Sequence, residues 1–259
     1  MSEIMTLKTH QFPYDSDNYG LLLHCSKTGL TACVDAGSSA ATDGALAKAG
    51  WALSHIFITH HHGDHTADLA LLKAKYNASV LGPAVDSRVS DLYDVRLGDG
   101  DHFEFAGRQV KVIATPGHTL DMINFYFPSE AIACTGDTLF VMGCGRIFEG
   151  DAAMMWASLE KLLELPDDTT IYCSHEYTLA NAAFARSVDP ENAALTARQG
   201  EIEKLRDKGL PTVPTRMDIE KATNPFLRAH DTSIREHLGM KHASNAEVFA
   251  EIRKRKDNF

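Results

Sequence analysis

The run Thr59-His60-His61-His62-Gly63-Asp64-His65 follows directly on the short stretch HIFIT (55–59). HIFIT reads as a buried strand, being rich in β-branched and aromatic residues and too short for a helix. Loops that leave the ends of buried strands are where binding groups gather. This loop offers imidazoles at His60, His62 and His65 and a carboxylate at Asp64. Such borderline nitrogen and oxygen donors suit zinc, iron or manganese, and their alternation lets neighbouring side chains serve different ions. A histidine-rich loop by itself is ordinarily a surface tract, so the reading depends on the rest of the chain.

Three later strand ends supply that support. VKVIAT (110–115) runs into Pro116-Gly117-His118-Thr119, AIACT (131–135) into Gly136-Asp137-Thr138, and TIYCS (170–174) into His175-Glu176-Tyr177. A Gly-Asp turn is usually only a turn, and a strand-end histidine is often a hydrogen-bonded core group. Four such ends, each with a ligand type, are hard to attribute to accident. Further strand candidates are TACVD (31–35), SVLG (79–82) and INFYF (123–127).

Helical periodicity marks ADLALLKAKY (67–76) and MMWASLEKLLEL (154–165). In the second, Met155, Leu159 and Leu162 fall on one stripe, Asp151 is placed to cap the start, and Pro166 stops the helix. Beyond residue 176 the chain reads as helices without strand candidates, joined through the Pro-punctuated PTVPT (211–215). The expected organisation is therefore an α/β domain over 1–175 and a smaller helical domain over 176–259.

Composition bounds the function. With 259 residues, 44% hydrophobic and 23% charged, the chain is long enough to bury a sizeable core without disulfides. Five cysteines without CxxC spacing suggest neither a disulfide framework nor a thiolate zinc knuckle. The start, MSEIMTLKTH, lacks the basic and apolar regions of a signal peptide, and no stretch approaches the roughly 20 apolar residues of a membrane span. A cytoplasmic location is expected. The net charge of −10 disfavours nucleic acid as a partner, and an anionic small substrate would need locally placed Arg or Lys.

The order HxHxDH, TPGHT, GDTLF, SHEYT resembles the metallo-β-lactamase superfamily, and more narrowly the glyoxalase II, or hydroxyacylglutathione hydrolase, family. The narrower likeness rests on Asp17-Asn18-Tyr19, GDTLFVMGCGRIFEG (136–150), SHEYTLANAAFARSVDPEN (174–192), PTVPT, TNPFLR (223–228) and the C-terminal RKRKDNF, so it spans nearly the whole chain. It implies an αββα sandwich followed by a helical substrate-binding domain. It further implies two divalent ions, zinc first, with iron or manganese as alternatives. His60, His62 and His118 would hold one ion, Asp64, His65 and His175 the other, and Asp137 would bridge them. Asp64 and Asp137 are also the implied catalytic carboxylates, and His61 lies outside the pattern as an exposed or supporting residue.

The implied reaction is hydrolysis of S-(2-hydroxyacyl)glutathione thioesters, such as S-D-lactoylglutathione, by hydroxide shared between the ions, as in methylglyoxal detoxification. Glutathione carries two carboxylates, and the family's recognition positions fall on Arg146, Tyr177, Arg253 and Lys256; a basic run near a C-terminus is otherwise a solvated helix end. Two departures stand out: Phe148 offers no phenolic hydroxyl where members of the family carry Tyr, and Asp121-Met122 replaces a common Gly-His pair. Cys144 is expected to serve packing, and Trp51 and Trp156 the core. The chain is expected to be monomeric. Alternatives are another hydrolase of the superfamily, acting on a lactone or other thioester, and a non-hydrolytic di-iron redox module; the intact ligand set and the lack of a flavin domain weigh against the second.

Overall fold

Alternating apolar residues and β-branched runs build most of the strands in the computed structural model, which describes residues 7–259. The N-terminal stretch considered for a leader falls largely on residues 1–6, outside the described residues. The chain divides into two compact units, one made of the described residues up to Ala114 with Asp121–Gly136, the other of Thr115–Leu120 with Asp137–Phe259.

The first unit holds β1 (Lys8–Tyr14), β2 (Asn18–His24), β3 (Thr31–Val34), α1 (Ser39–Ala49), β4 (His55–Phe57), the single turn α2 (Gly63–Thr66), α3 (Leu69–Tyr76), β5 (Ser79–Pro83) and β6 (Val95–Leu97). These six strands form one sheet in chain order. It is antiparallel from β1 to β3 and parallel from β3 to β6. Next come β7 (His102–Phe105), β8 (Arg108–Ala114), β9 (Ile123–Phe127) and β10 (Ile132–Gly136), an antiparallel run in the second sheet. Phe57 packs on Phe103, Phe105 and Phe125 at centroid distances of 5.2 to 5.4 Å, so aromatic rings fill the space between the sheets. On the other face of the first sheet, Leu46 of α1 and Leu69 and Leu72 of α3 join Leu22, Ile56 and Val80 in one buried cluster. Strand candidates 31–35, 55–59, 79–82, 110–115 and 123–127 all find their strands, while β1, β2, β6, β7 and α1 were not anticipated.

The second unit holds the hairpin β11 (Leu139–Phe140) and β12 (Gly143–Cys144), α4 (Ala152–Leu163), β13 (Thr170–Cys173), α5 (Thr178–Val188), α6 (Ala193–Arg206), β14 (Thr215–Arg216), α7 (Met217–Thr223), α8 (Thr232–Leu238) and α9 (Asn245–Asp257). Asp151 caps α4 as expected, its carboxylate accepting from Met154 N at 2.8 Å. Met155, Leu159 and Leu162 are fully buried. Trp156 meets Phe249 of α9, and Phe226 bridges Phe249 to Phe184 of α5. One expectation needs correction: the stretch beyond 176 does contain a strand, because the last Thr of PTVPT opens β14, which pairs antiparallel with β13. Two residues directly after a proline carry too little pattern to announce it.

A buried carboxylate also lies in this unit. Glu220 of α7 is fully enclosed and accepts from Met142 N, Thr215 Oγ1 and Asn224 Nδ2 at 2.8, 2.9 and 3.0 Å. Burial lifts its carboxyl from 4.5 to about 7, against the lowering effect of those hydrogen bonds and of Arg198 on α6. A folded-state pKa above the unfolded one means that the folded protein holds the extra proton. The stability contribution is therefore full below about pH 4.5 and lost as pH rises through about 7. Glu220→Gln is expected to flatten the profile, its melting temperature gaining on the native protein between those values. Parallel profiles would contradict an enclosed, titrating carboxyl.

Candidate metal centre

In the first unit the loop after β4 is organised by Asp35, whose place in the sequence marks it only as the end of a strand candidate. Its backbone is left-handed, at φ 61°. That conformation turns the chain out of β3 and points the carboxylate at the loop. Asp35 Oδ1 accepts from Thr59 N at 2.8 Å, and Thr59 Oγ1 lies 3.0 to 3.1 Å from both carboxylate oxygens. Asp35 Oδ2 faces His65 Nδ1 at 2.8 Å. An Nδ1–H donated to a carboxylate leaves the lone pair on Nε2, the tautomer a metal ligand requires. Thr59 Oγ1 in turn stands 3.0 Å from His60 Nδ1, which directs His60 Nε2 outward in the same way.

Distances among the outward atoms test whether a cation fits. Two ligand atoms bound at about 2.0–2.1 Å to one tetrahedral ion stand roughly 3.3 Å apart. His60 Nε2 and His62 Nδ1 are 3.1 Å apart, and His65 Nε2 and Asp64 Oδ2 are 3.3 Å apart. His60 and His65 are fully buried, and two nitrogen lone pairs at such range repel unless a proton or a cation lies between them. Asp64 is itself held, Asn18 Nδ2 donating to its Oδ2 at 3.0 Å and the Tyr14 hydroxyl to its carbonyl at 2.9 Å. Burial, reinforced by Asp35 and Asp64, raises the Tyr14 phenol, which therefore stays a donor. Gly37 is needed here because a Cβ would stand 1.8 Å from the Asp64 carbonyl. His61, half-buried, meets Asp121 Oδ1 at 2.9 Å, so the residue that departs from the family pattern supports this loop.

The second unit carries the other predicted ligands. Asp137 Oδ2 lies 3.4 Å from His118 Nε2 and 3.3 Å from His175 Nε2. One carboxylate oxygen thus stands beside two imidazole nitrogens, at the separation of ligand atoms on a common ion and all nearly buried. His118 Nδ1 meets the Arg146 carbonyl at 2.8 Å, which again reserves Nε2. Gly145 allows this approach, since a Cβ there would meet the Asp137 carbonyl at 2.0 Å and His118 Nδ1 at 3.0 Å.

The predicted substrate residues also lie in this unit. Tyr177 is partly exposed and stacks on His175 at 4.7 Å and 4°. Arg253 is buried rather than solvated: Nη1 donates to the Cys144 carbonyl at 3.1 Å, and Nε and Nη2 engage Asp257 at 3.0 and 2.7 Å. Lys256 Nζ donates to the Ala180 carbonyl at 3.0 Å. Its pKa is lowered by burial first and then by the charges of Arg253 and Arg146, which puts the three cations within one another's field. Phe148 is exposed, its ring 5.2 Å from that of His118. Cys144 is buried with its thiol raised to about 11, as suits packing rather than nucleophilic attack.

The family described as the metallo-β-lactamase superfamily matches residues 27–175, and the chain belongs to it. Residues 176–259 match the family described as the hydroxyacylglutathione hydrolase C-terminus. A hydroxyacylglutathione hydrolase of Rhizobium meliloti is 53% identical over 94% of this chain and 95% of its own length. One from Brucella anthropi is 50% identical over 98% and 97%. Among solved structures, ETHE1 from Myxococcus xanthus superposes with a TM-score of 0.68 at 25% identity, covering 96% of this chain and 90% of that one. The chain is a member of the hydroxyacylglutathione hydrolase family.

Asp35→Asn preserves shape but removes the charge that fixes the His65 tautomer. It is expected to lower metal affinity by about 10- to 100-fold, measured as metal retained through dialysis against graded chelator. Native retention would show that Asp35 does not orient a ligand.

Proposed function

We propose that the chain hydrolyses S-(2-hydroxyacyl)glutathione thioesters, S-D-lactoylglutathione among them, to glutathione and a 2-hydroxy acid. The observation that carries this reading is the shared Asp137 oxygen between His118 and His175, together with the paired donors His60/His62 and Asp64/His65. In this reading His60, His62 and His118 hold one divalent ion, Asp64, His65 and His175 the second, and Asp137 joins them. Zinc is the ion proposed, although the same donors accept iron or manganese. Bound there, two ions would lower the pKa of a water between them and polarise the thioester carbonyl.

The chain's own residues do the rest. Asp35, Thr59 and the Arg146 carbonyl keep the ligand imidazoles in the tautomer that leaves Nε2 for binding. Tyr177 offers an aromatic face and a hydroxyl to the glutathione peptide. Arg146, Arg253 and Lys256 supply the local positive field that an anionic substrate needs against a net charge of −10. A thiolate leaves readily, so no dedicated general acid is required. Five free, buried cysteines suit a reducing cytoplasm, and the proposed partner is the thioester alone, bound by a monomer without nucleic acid. Among the described residues no helix is long and apolar enough to cross a membrane.

Changing Arg146 and Lys256 together to Ala tests the substrate assignment. KM for S-D-lactoylglutathione is expected to rise at least about tenfold with kcat little changed, the signature of lost uniform binding. A thioester lacking the glutathione peptide should be unaffected. A loss confined to kcat would remove these residues from substrate recognition.

A further inference from the structure

The hairpin of β11 and β12 lies two residues past Asp137, and its turn is gripped from outside. Met142 has a left-handed backbone at φ 55°, unfavourable for a residue with a side chain, so the turn depends on external hydrogen bonds. Glu220 Oε2 takes the Met142 N–H at 2.8 Å. Asn224 Nδ2 donates to the carbonyls of Phe140 and Gly143 at 3.2 and 3.0 Å and to Glu220 Oε2 at 3.0 Å. From α5, Asn181 Nδ2 donates to the Val141 carbonyl at 3.1 Å. On its other oxygen Glu220 receives Thr215 Oγ1 at 2.9 Å, which ties the latch to β14.

Two proposed substrate residues depend on this turn. Phe140, on one strand, sets its ring at right angles to Tyr177 at 5.4 Å and to His175 at 5.8 Å. Cys144, on the other, offers the carbonyl that takes Arg253 Nη1 at 3.1 Å. A shift of the turn would move the surface against which Tyr177 rests and the acceptor that orients Arg253.

We propose that Glu220 is a positioning residue for glutathione recognition, holding the β11–β12 turn so that Phe140 seats Tyr177 and the Cys144 carbonyl seats Arg253. This rests on the reading of Tyr177 and Arg253 as substrate contacts. The role is one of reach and hydrogen bonding rather than of charge. A glutamine has the same length: its oxygen accepts from Met142 and Asn224, and its amide donates to Thr215, whose hydroxyl accepts as readily as it donates. An aspartate keeps the carboxylate but is a methylene shorter and withdraws from the Met142 N–H.

The test compares the metal-loaded full chain with Glu220→Asp and Glu220→Gln. Steady-state kinetics would use S-D-lactoylglutathione and a thioester lacking the glutathione peptide, with metal content and melting temperature recorded for each protein. Glu220→Asp is expected to raise KM for the glutathione thioester by about five- to tenfold, as for the loss of one or two hydrogen bonds expressed in binding. Its metal content and its turnover of the peptide-free thioester should stay native. Glu220→Gln should keep the native KM. An unchanged KM in Glu220→Asp overturns the proposal even if the melting temperature falls, and so does a Glu220→Gln as impaired as Glu220→Asp. A native protein inactive on S-D-lactoylglutathione sinks the substrate reading and the proposal with it, and is told apart because the native control itself fails.

Discussion

Burying histidine and aspartate side chains without water is unfavourable unless each polar atom is satisfied, and this constraint governs the molecule. Asp35 meets it for the first unit. Its carboxylate takes the Thr59 N–H, the Thr59 hydroxyl and His65 Nδ1, so one side chain fixes the loop's path and the tautomer of His65, a proposed ligand. With the inner nitrogens of His60 and His65 turned to protein groups, the outer ones face His62 and Asp64 at the separation of ligand atoms. The metal's demand and the fold's hydrogen bonding are thus one arrangement seen from two sides.

The second unit solves the same problem differently. At His118 Nδ1 the support is a backbone carbonyl, that of Arg146, made accessible by the absence of a side chain at Gly145. Asp137 then takes both His118 and His175 on one oxygen. Around this core the polar network reaches outward through the β11–β12 turn to Glu220 and Asn224. The departures from the family pattern fit within this scheme. Asp121 has a partner in His61, and Phe148 keeps an aromatic ring beside His118 while losing the hydroxyl.

Much of this was legible in the chain, for an identifiable reason. The proposed ligands sit at the ends of short β-branched strands, so pattern and chemistry coincide at HIFIT, VKVIAT, AIACT and TIYCS. What escaped notice depends on partners distant in sequence. In β1 and β2, Pro13 and Gly20 weaken the local strand signal, yet Phe12 lies opposite Gly20 in the antiparallel register and its ring fills the space that glycine leaves. Helix α1 (Ser39–Ala49) is built of small and polar residues, with no apolar stripe to announce it. Asp35 read as a strand boundary because His65 stands thirty residues on. Arg253 belonged to an evidently basic run, but only the fold shows its guanidinium drawn inward to Cys144 and Asp257.

The most direct test of the whole account is the turnover of S-D-lactoylglutathione by native protein whose metal has been quantified, set beside an acyl thioester lacking the glutathione peptide. About two divalent ions per chain are expected, with hydrolysis of the glutathione thioester in strong preference to the simple one. Two ions without that turnover would contradict the substrate and send the site to lactones or other thioesters. A protein that binds a single ion, or none, while remaining active would contradict the bridging role given to Asp137.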